Sequence, residues 1–269
     1  MSYWTVYALA ALTIWVLMTL VWLVSLKIKN TSIVDIIWGF GFVLVNWVVF
    51  SVTPQDFMAR KWILAVLVTV WGLRLTTHIF IRNKGKPEDF RYAAWRKEHG
   101  KKWWWYSYLQ TFMLQGTLMF FISAPIIHTH ATGTPARIGV LEILGILVWV
   151  IGFFFETVGD LQLEQFKKDP KNKGKLLNSG VWRYTRHPNY FGDSAQWWGF
   201  YLIAAGSTLG FLTIFSPIIM TYFLIKVSGV AMLEKSMSER KPGYKEYMQT
   251  TNAFIPWFPK KTINQVSSQ

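Results

Sequence analysis

Polar and aromatic side chains are densest in residues 180–199, whose sequence is GVWRYTRHPNYFGDSAQWWG. Arginine donates paired hydrogen bonds to phosphate, asparagine and aspartate bind ribose hydroxyls and amides, and aromatic rings stack on flat heterocycles. The polar members of this segment are Arg183, Arg186, His187, Asn189, Tyr190 and Asp193. These residue types predict a binding site for a phosphorylated ligand that contains a ring. The alternative, an aromatic and basic belt at a membrane surface, does not require the asparagine and the aspartate.

The same segment contains two residues that interrupt helices, Pro188 and Gly192. The sequence therefore predicts a helix that begins near Asp193, after the polar group. Free backbone N–H groups in the first turn of such a helix would suit an anionic ligand.

Ionisable residues also occur inside long apolar runs, where they are costly and often functional. Asp35 opens the second run and Arg74 lies in the third. Glu156 and Asp160 stand one helical turn apart where the fifth run ends. One interpretation is that they join helices, with Arg74 paired to Asp35 or Glu156. Because most of them lie towards one end of the runs, a polar cavity open to the cytosol is favoured.

The elements that must position these residues are apolar runs long enough to cross a bilayer, which requires about 20 residues. Hydrophobic residues make up 52% of the 269 residues and charged residues only 16%, whereas soluble domains carry about 25% charged residues. The sequence therefore predicts an all-α, polytopic membrane bundle that forms one domain, with about seven spans at 3–26, 33–52, 62–81, 107–127, 138–158, 194–206 and 208–229.

Positive charge predicts the orientation of these spans. With the N-terminus outside, 23 of the 28 basic residues lie in inner segments, and only Arg60, Lys61 and Arg137 lie in outer ones. The C-terminus and the two long loops are then cytoplasmic. The net charge of +14 is explained by this distribution and by anionic headgroups, so no nucleic-acid partner is expected.

Several classes of chemistry are excluded by residue types. The chain has no cysteine, which excludes disulfides, zinc–thiolate sites and iron–sulfur clusters. Its five histidines are too few and too scattered for a membrane di-iron oxygenase; His128 and His130 are expected on an outer loop. The sequence has no Walker loop, no G-x-G-x-x-G turn and no G-x-S-x-G elbow, so a nucleotide would be held in another way.

The motif T-R-H-P-N-Y-F-G-D, with G-x-W before it, resembles the C-terminal domain of steroid 5α-reductases. It is closer to the R-H-x-N-Y-x-G-D of sterol Δ14 and Δ7 reductases. Two further blocks are similar to that superfamily, DLQLEQFKKDP at 160–170 and the tail from Glu234 to Pro259. The first half, with SIVDIIWGFGF and WGLRL…KPEDFRY, resembles an uncharacterised bacterial branch. R-H-P-x-Y and a similar tail also occur in isoprenylcysteine carboxyl methyltransferases and phospholipid methyltransferases.

The resemblance implies a cytoplasmic NADPH site in residues 138–260, with substrate-side helices in 1–137 and a flexible tail at 261–269. The residues that it implies for the cofactor are Asp160, Gln162, Glu164, Lys167, Trp182, Arg186, His187, Asn189, Tyr190, Asp193, Glu234, Arg240, Tyr244 and Tyr247. The 2′-phosphate of NADPH would meet Lys167, Lys168, Arg183, Arg240 or Lys241, and spacing does not choose among them.

The resemblance is weaker at the substrate end. Steroid 5α-reductases use a Gln–Glu pair near the start of the second span and a tyrosine on the third, where this chain has Asp35 and either Trp71 or Arg74. We therefore expect Asp35 and Arg74 to be catalytic, with a buried Asp35 or a neighbouring tyrosine as the hydrogen-bond or proton donor.

The resemblance implies an integral membrane enzyme, in a bacterial inner membrane, that reduces a polarised C=C bond of a steroid-like, isoprenoid or other lipid with NADPH. Two alternatives stay open: an S-adenosylmethionine-dependent lipid or prenyl methyltransferase, and a lipid-binding protein without catalysis. The oligomeric state is left open.

Overall fold

A computed structural model of the chain describes residues 1–53, 58–227 and 229–260. Within these ranges the ordered elements are helical and no strand occurs. The chain forms two compact units. The first unit comprises Met1–Glu142 and Ile203–Ser216, and the second comprises Ile143–Leu202 and Pro217–Gln269. The division expected at 137/138 on functional grounds stays a prediction, and the tail at 261–269 lies outside the described residues.

The first unit begins with three long helices. These are α1 (Tyr3–Ile28), α2 (Ile33–Val52) and α3 (Met58–Asn83). Shorter helices follow: α4 (Phe90–His99), α5 (Trp103–Ser107), α6 (Leu114–Ile122) and α7 (Ala124–Ala131).

The helices α2 and α3 pack with their backbones in close contact. A Cβ atom added to Gly39 would lie 2.5 Å from the carbonyl oxygen of Gly72, and one added to Gly72 would lie 2.7 Å from that of Gly39. Only glycine permits this approach, which is typical of helix pairs in membranes. The N-terminal end of α2, which carries Asp35, is thereby fixed against α3.

The fourth expected span is built from several short pieces. A π-helical segment, Tyr108–Met113, lies between α5 and α6, and the axis bends by 47° between Phe90–Ile122 and Ala124–Ala131. Pro125 stands in the first turn of α7, where it is tolerated because the N–H that it lacks would have no helical partner.

The second unit contains the longest helix, α8 (Val140–Lys168), which begins at the end of the first unit. After the 3₁₀ turns Pro170–Asn172 and Gly180–Arg183 comes α9 (Pro188–Ala205). The remaining helices are α10 (Phe215–Tyr222), α11 (Val230–Arg240) and α12 (Tyr244–Thr250).

Glycines also bring α8 and α9 together. A Cβ atom on Gly192 would lie 2.4 Å from both the amide nitrogen of Glu156 and the carbonyl oxygen of Gly152. A Cβ atom on Gly199 would lie 2.7 Å from the carbonyl oxygen of Gly145. This contact holds the polar end of α8 beside the start of α9.

The expectation of an all-helical chain with several helices suited to cross a membrane is confirmed, but the count of seven is not. Five helical stretches in the described residues are long and apolar enough to cross a membrane, and the bent pair would make a sixth. The expected span at 194–206 is not among them because α9 begins with the polar sequence PNYFGDSAQ. The orientation stays a prediction.

One expectation about the outer side was wrong. His128 and His130 lie on α7 and are buried, so they are not on a loop. Arg60 is buried as well: its guanidinium lies 2.7 Å from the carboxylate of Glu142, with side-chain exposures of 1% and 2%. The same guanidinium also donates to the carbonyl oxygens of Pro135 and Arg137 at 2.9 Å.

Candidate functional site

The second unit is organised around an ion pair between Arg186 and Glu234. The Nε and Nη2 atoms of Arg186 lie 2.7 and 2.6 Å from Oε1 of Glu234. The Nη1 atom donates to the carbonyl oxygens of Met248 and Thr251. The structure therefore gives Arg186 protein partners on α11 and α12, which makes it a residue that positions other groups.

The Glu234 carboxylate also contacts a histidine. The Nε2 atom of His187 lies 3.3 Å from the same Oε1 atom. The His187 ring stacks on the ring of Tyr190, with 5.7 Å between centroids and an interplanar angle of 12°. The half-buried Tyr190 is thus held in place by a buried histidine, which in turn faces Glu234.

The end of α8 meets the start of α9 through two polar side chains. The Nδ2 atom of Asn189 donates to Oδ1 of Asp160 at 3.1 Å. The Asn189 amide oxygen accepts from the backbone N–H of Tyr190 at 3.1 Å, so the orientation of the amide is fixed. This contact joins the end of α8 to the first turn of α9.

The turn that precedes α9 is held against α8 by Gln162 and Trp182. Oε1 of Gln162 accepts from the N–H of Val181 at 3.1 Å, and the indole N–H of Trp182 donates to the carbonyl oxygen of Gly159 at 3.1 Å. Gly180 has a φ of +59°, and a Cβ atom there would lie 2.3 Å from Gln162. Both a left-handed backbone and an absent side chain are required at this position.

Two tyrosines of α12 close the cluster from the other side. Burial, followed by the negative charge of Glu234, raises the pKa of Tyr244 to about 12. Burial, followed by the neighbouring Tyr244, raises the pKa of Tyr247. Both phenols are therefore neutral at physiological pH. The hydroxyl of Tyr247 donates to the carbonyl oxygen of Trp182.

The remaining expected cofactor residues lie towards the surface. Lys167 is exposed, and Glu164 forms an i, i+4 ion pair of 2.7 Å with Lys168. Arg240 is exposed and donates to the backbone and hydroxyl oxygens of Ser236, one turn earlier on its own helix.

The start of α9 corrects one expectation. The helix begins at Pro188 rather than near Asp193, because proline is favoured in the first turn of a helix. Asp193 is buried, more than one turn inside the helix. The first turn of α9 instead carries Asn189 and Tyr190.

The first unit contains the expected catalytic residue Asp35. The hydroxyl of Tyr92 donates to Oδ1 of Asp35 at 2.8 Å, and Nη2 of Arg91 lies 3.5 Å from Oδ2. Gln115 donates to the Tyr92 hydroxyl at 3.2 Å. Asp35 therefore accepts the last hydrogen bond in a series that runs from Gln115 through Tyr92. Arg74 lies half-buried on α3.

Tyr92 and Arg91 were missed as site residues. They belong to the run KPEDFRY, which was noted only because it resembles a segment of other proteins and not because of its chemistry. A tyrosine was expected near the substrate, but its position could not be read from spacing because 57 residues separate it from Asp35.

The loop before α4 is held by ion pairs of its own. Arg96 contacts both carboxylate oxygens of Glu88, at 2.9 and 2.8 Å, and Glu88 accepts from the N–H of Thr31 at 2.6 Å. Burial opposes ionisation of Glu88, but these donors hold its pKa below the usual value. In the same way, Arg91 holds the pKa of Asp89 low against the effect of burial.

Residues 21–251 match the family described as "Protein of unknown function (DUF1295)". The chain belongs to this family. Among the described residues of this DUF1295 protein, no group of three or more histidine, aspartate or glutamate side chains is placed to hold a metal ion.

One relative covers most of the DUF1295 chain. An uncharacterised protein of Schizosaccharomyces pombe, C594.04c, is 25% identical over 93% of this chain and 79% of its own length. No solved structure matches.

Two relatives with described activities match shorter parts. A Delta(14)-sterol reductase of Ascobolus immersus is 30% identical over 42% of this chain and 27% of its own length. A probable O-methyltransferase of Ustilaginoidea virens, ustE, is 33% identical over 24% of this chain and 23% of its own length. This chain therefore spans about a quarter of each. The relatives named here are fungal, so the expected bacterial source is not confirmed.

Proposed function

We propose that this protein is a membrane oxidoreductase that reduces a polarised C=C bond of a lipid with NADPH. The observation that carries the proposal is the joining of Asp160 to Asn189 beside the stacked pair of His187 and Tyr190, all within the second unit. The similarity to a sterol reductase over 42% of the chain supports the same reaction class.

The donor set of the second unit fits a dinucleotide. Asn189 supplies an amide and Asp160 a carboxylate for hydroxyl or amide groups, and the half-buried Tyr190 presents a ring. We propose that Lys167 and Arg183, which are both exposed, contact the phosphate groups. We assign Arg186 a positioning role, because most of its N–H groups are directed to Glu234 and to backbone carbonyl oxygens.

NADPH, when bound, supplies the hydride. The chain's own part is to orient the ring and hold polar groups away from water. For the first unit we propose that Asp35 and Tyr92 act together. The Tyr92 hydroxyl donates to Asp35 in the substrate-free structure, and it turns from Asp35 to the lipid substrate when it polarises that substrate or supplies its proton. Arg74 stays a predicted catalytic residue on α3.

The proposal is tested by thermal unfolding of the purified protein in detergent with NADPH, NADH or S-adenosylmethionine. A ligand at about 100 times its Kd adds about 2.7 kcal/mol to the free energy of unfolding if it binds only the folded state. We expect this effect from NADPH, and we expect Asn189→Ala to abolish it. The matched control is Asn178→Ala, an exposed asparagine of the same unit, which should keep the full shift.

A methyltransferase is the second candidate, and the similarity to a probable O-methyltransferase favours it. It predicts the opposite ligand preference. Stabilisation by S-adenosylmethionine with no response to NADPH would replace the reductase proposal. Stabilisation by neither ligand, in a protein that unfolds cooperatively, would leave lipid binding without catalysis as the function.

A further inference from the structure

A groove of about 200 Å³ opens in the first unit, where α3 ends and α2 begins. Gly85, with a φ of +73°, ends α3 in a left-handed turn that glycine adopts without strain. The N–H of Lys86 closes this turn by donating to the carbonyl oxygen of Asn83 at 3.0 Å. Lys84 and Lys86 flank the glycine, and both line the groove.

The charge of the groove is positive. Among the described residues that line it, Asp89 is the only acidic one, and Arg91 pairs with that carboxylate at 2.9 Å. The positive charges of Lys84 and Lys86 are therefore not cancelled.

The rest of the lining is apolar. Ile33 and Ile36, from the first turn of α2, and Phe80, from the last turn of α3, contribute to the wall. Phe80 is 51% exposed. Because α2 and α3 are both long and apolar enough to cross a membrane, we expect their adjoining ends to lie at the depth of lipid headgroups.

We propose that this groove binds an anionic phospholipid, with Lys84 and Lys86 on its phosphate and Ile36 and Phe80 against its acyl chains. Basic residues at the ends of membrane helices also set orientation, but orientation requires only charge. A groove that combines two lysines with an apolar wall is what a headgroup with attached chains requires. The proposal does not depend on the reductase activity.

The test measures binding of dioleoyl phosphatidylglycerol to the purified full chain in detergent by native mass spectrometry. Dioleoyl phosphatidylcholine and inorganic phosphate serve as the other two probes. At about 1 kcal/mol for each basic residue, the double variant Lys84→Ala/Lys86→Ala should bind phosphatidylglycerol about thirtyfold more weakly. Lys84→Arg/Lys86→Arg should retain binding because it keeps the charge.

The matched control is Lys101→Ala/Lys102→Ala, which removes the same charge from two exposed lysines outside the lining. It should bind phosphatidylglycerol as the wild type does. Equal weakening by both alanine pairs would show a non-specific charge effect and overturn the proposal. So would equal binding of the two phospholipids, or binding of free phosphate as tight as that of phosphatidylglycerol.

Discussion

Replacing Glu234 by glutamine tests whether the ion pair with Arg186 holds the second unit together. The change keeps the size of the side chain and removes its charge. Arg186 is then left with an uncompensated charge at 6% exposure, while its Nη1 contacts to backbone carbonyl oxygens persist. Breaking a buried ion pair from one side costs about 3–5 kcal/mol.

The lower end of that range applies, because the Glu234 side chain is 17% exposed and is partly solvated. A loss of about 3 kcal/mol in a chain of this length lowers Tm by roughly 6–12 °C. The assay is thermal unfolding in detergent, and the same samples are then titrated with NADPH. We expect weaker NADPH binding as well, because His187 loses the negative charge that it faces.

The control is Lys168→Gln, which breaks an ion pair of similar length whose side chains are 73% and 37% exposed. Its Tm should stay close to the wild type, since exposed pairs contribute about 0–1 kcal/mol. Adding Arg186→Met to Glu234→Gln should cost less than the sum of the two single changes. A Tm for Glu234→Gln within about 2 °C of the wild type would refute the reasoning.

Three further changes test other parts of the fold. Gly192→Ala should lower stability by about 3 kcal/mol, the upper end of the usual cost of overpacking, in thermal unfolding, because its Cβ would lie 2.4 Å from backbone atoms. Arg60→Met should cost about 3–5 kcal/mol by the same measurement, since it leaves Glu142 charged at 2% exposure. The pKa of Glu88 is lower in the folded state than its ordinary value of 4.5, so ionised Glu88 stabilises the fold above pH 4.5, and this stabilisation is lost as the pH falls through the folded-state pKa. Glu88→Gln should therefore flatten the fall of Tm between about pH 5 and pH 3.

Each of these has an outcome that contradicts it. The control for Gly192→Ala is Gly139→Ala, whose Cβ would meet only the flexible end of a side chain at 3.2 Å and which should lower stability only slightly. If Gly192→Ala lowered stability as little as this control does, the close approach of α8 and α9 would be contradicted. A mild Arg60→Met would mean that its contact with Glu142 does not stabilise the fold. An unchanged acid profile in Glu88→Gln would assign the acid sensitivity to other carboxylates.

The long apolar helices could be predicted from the sequence because bilayer thickness fixes their length. The runs at 3–26 and 33–52 end within a few residues of α1 and α2. The start of α9 could not be placed, because the polar residues around Pro188 look like a helix break until α8 covers them. The same residues keep α9 from qualifying as a span.

Only the site residues that lie close together in the sequence could be predicted. Arg186, His187 and Asn189 are adjacent in sequence, so their type and spacing were visible. Their partner Glu234 stands 48 residues beyond Arg186, and no local signal shows which carboxylate a given arginine will meet.

The burial of Arg60 could not be predicted for the same reason. A basic residue beside an apolar run is typical of a connection at the membrane surface. Its partner Glu142 lies 82 residues away, and only the folded chain makes it a buried pair.

The backbone after α12 returns to the turn that precedes α9. The N–H of Arg186 donates to the carbonyl oxygen of Asn252, and that of Trp257 donates to the carbonyl oxygen of Tyr184, both at 2.9 Å. During biosynthesis, the residues around Arg186 therefore form these hydrogen bonds only after about 70 more residues have been synthesised. A premature stop codon near position 250 would leave every residue of the R-H-P-N-Y motif in the product and still yield a chain that quality-control proteases recognise as unfinished.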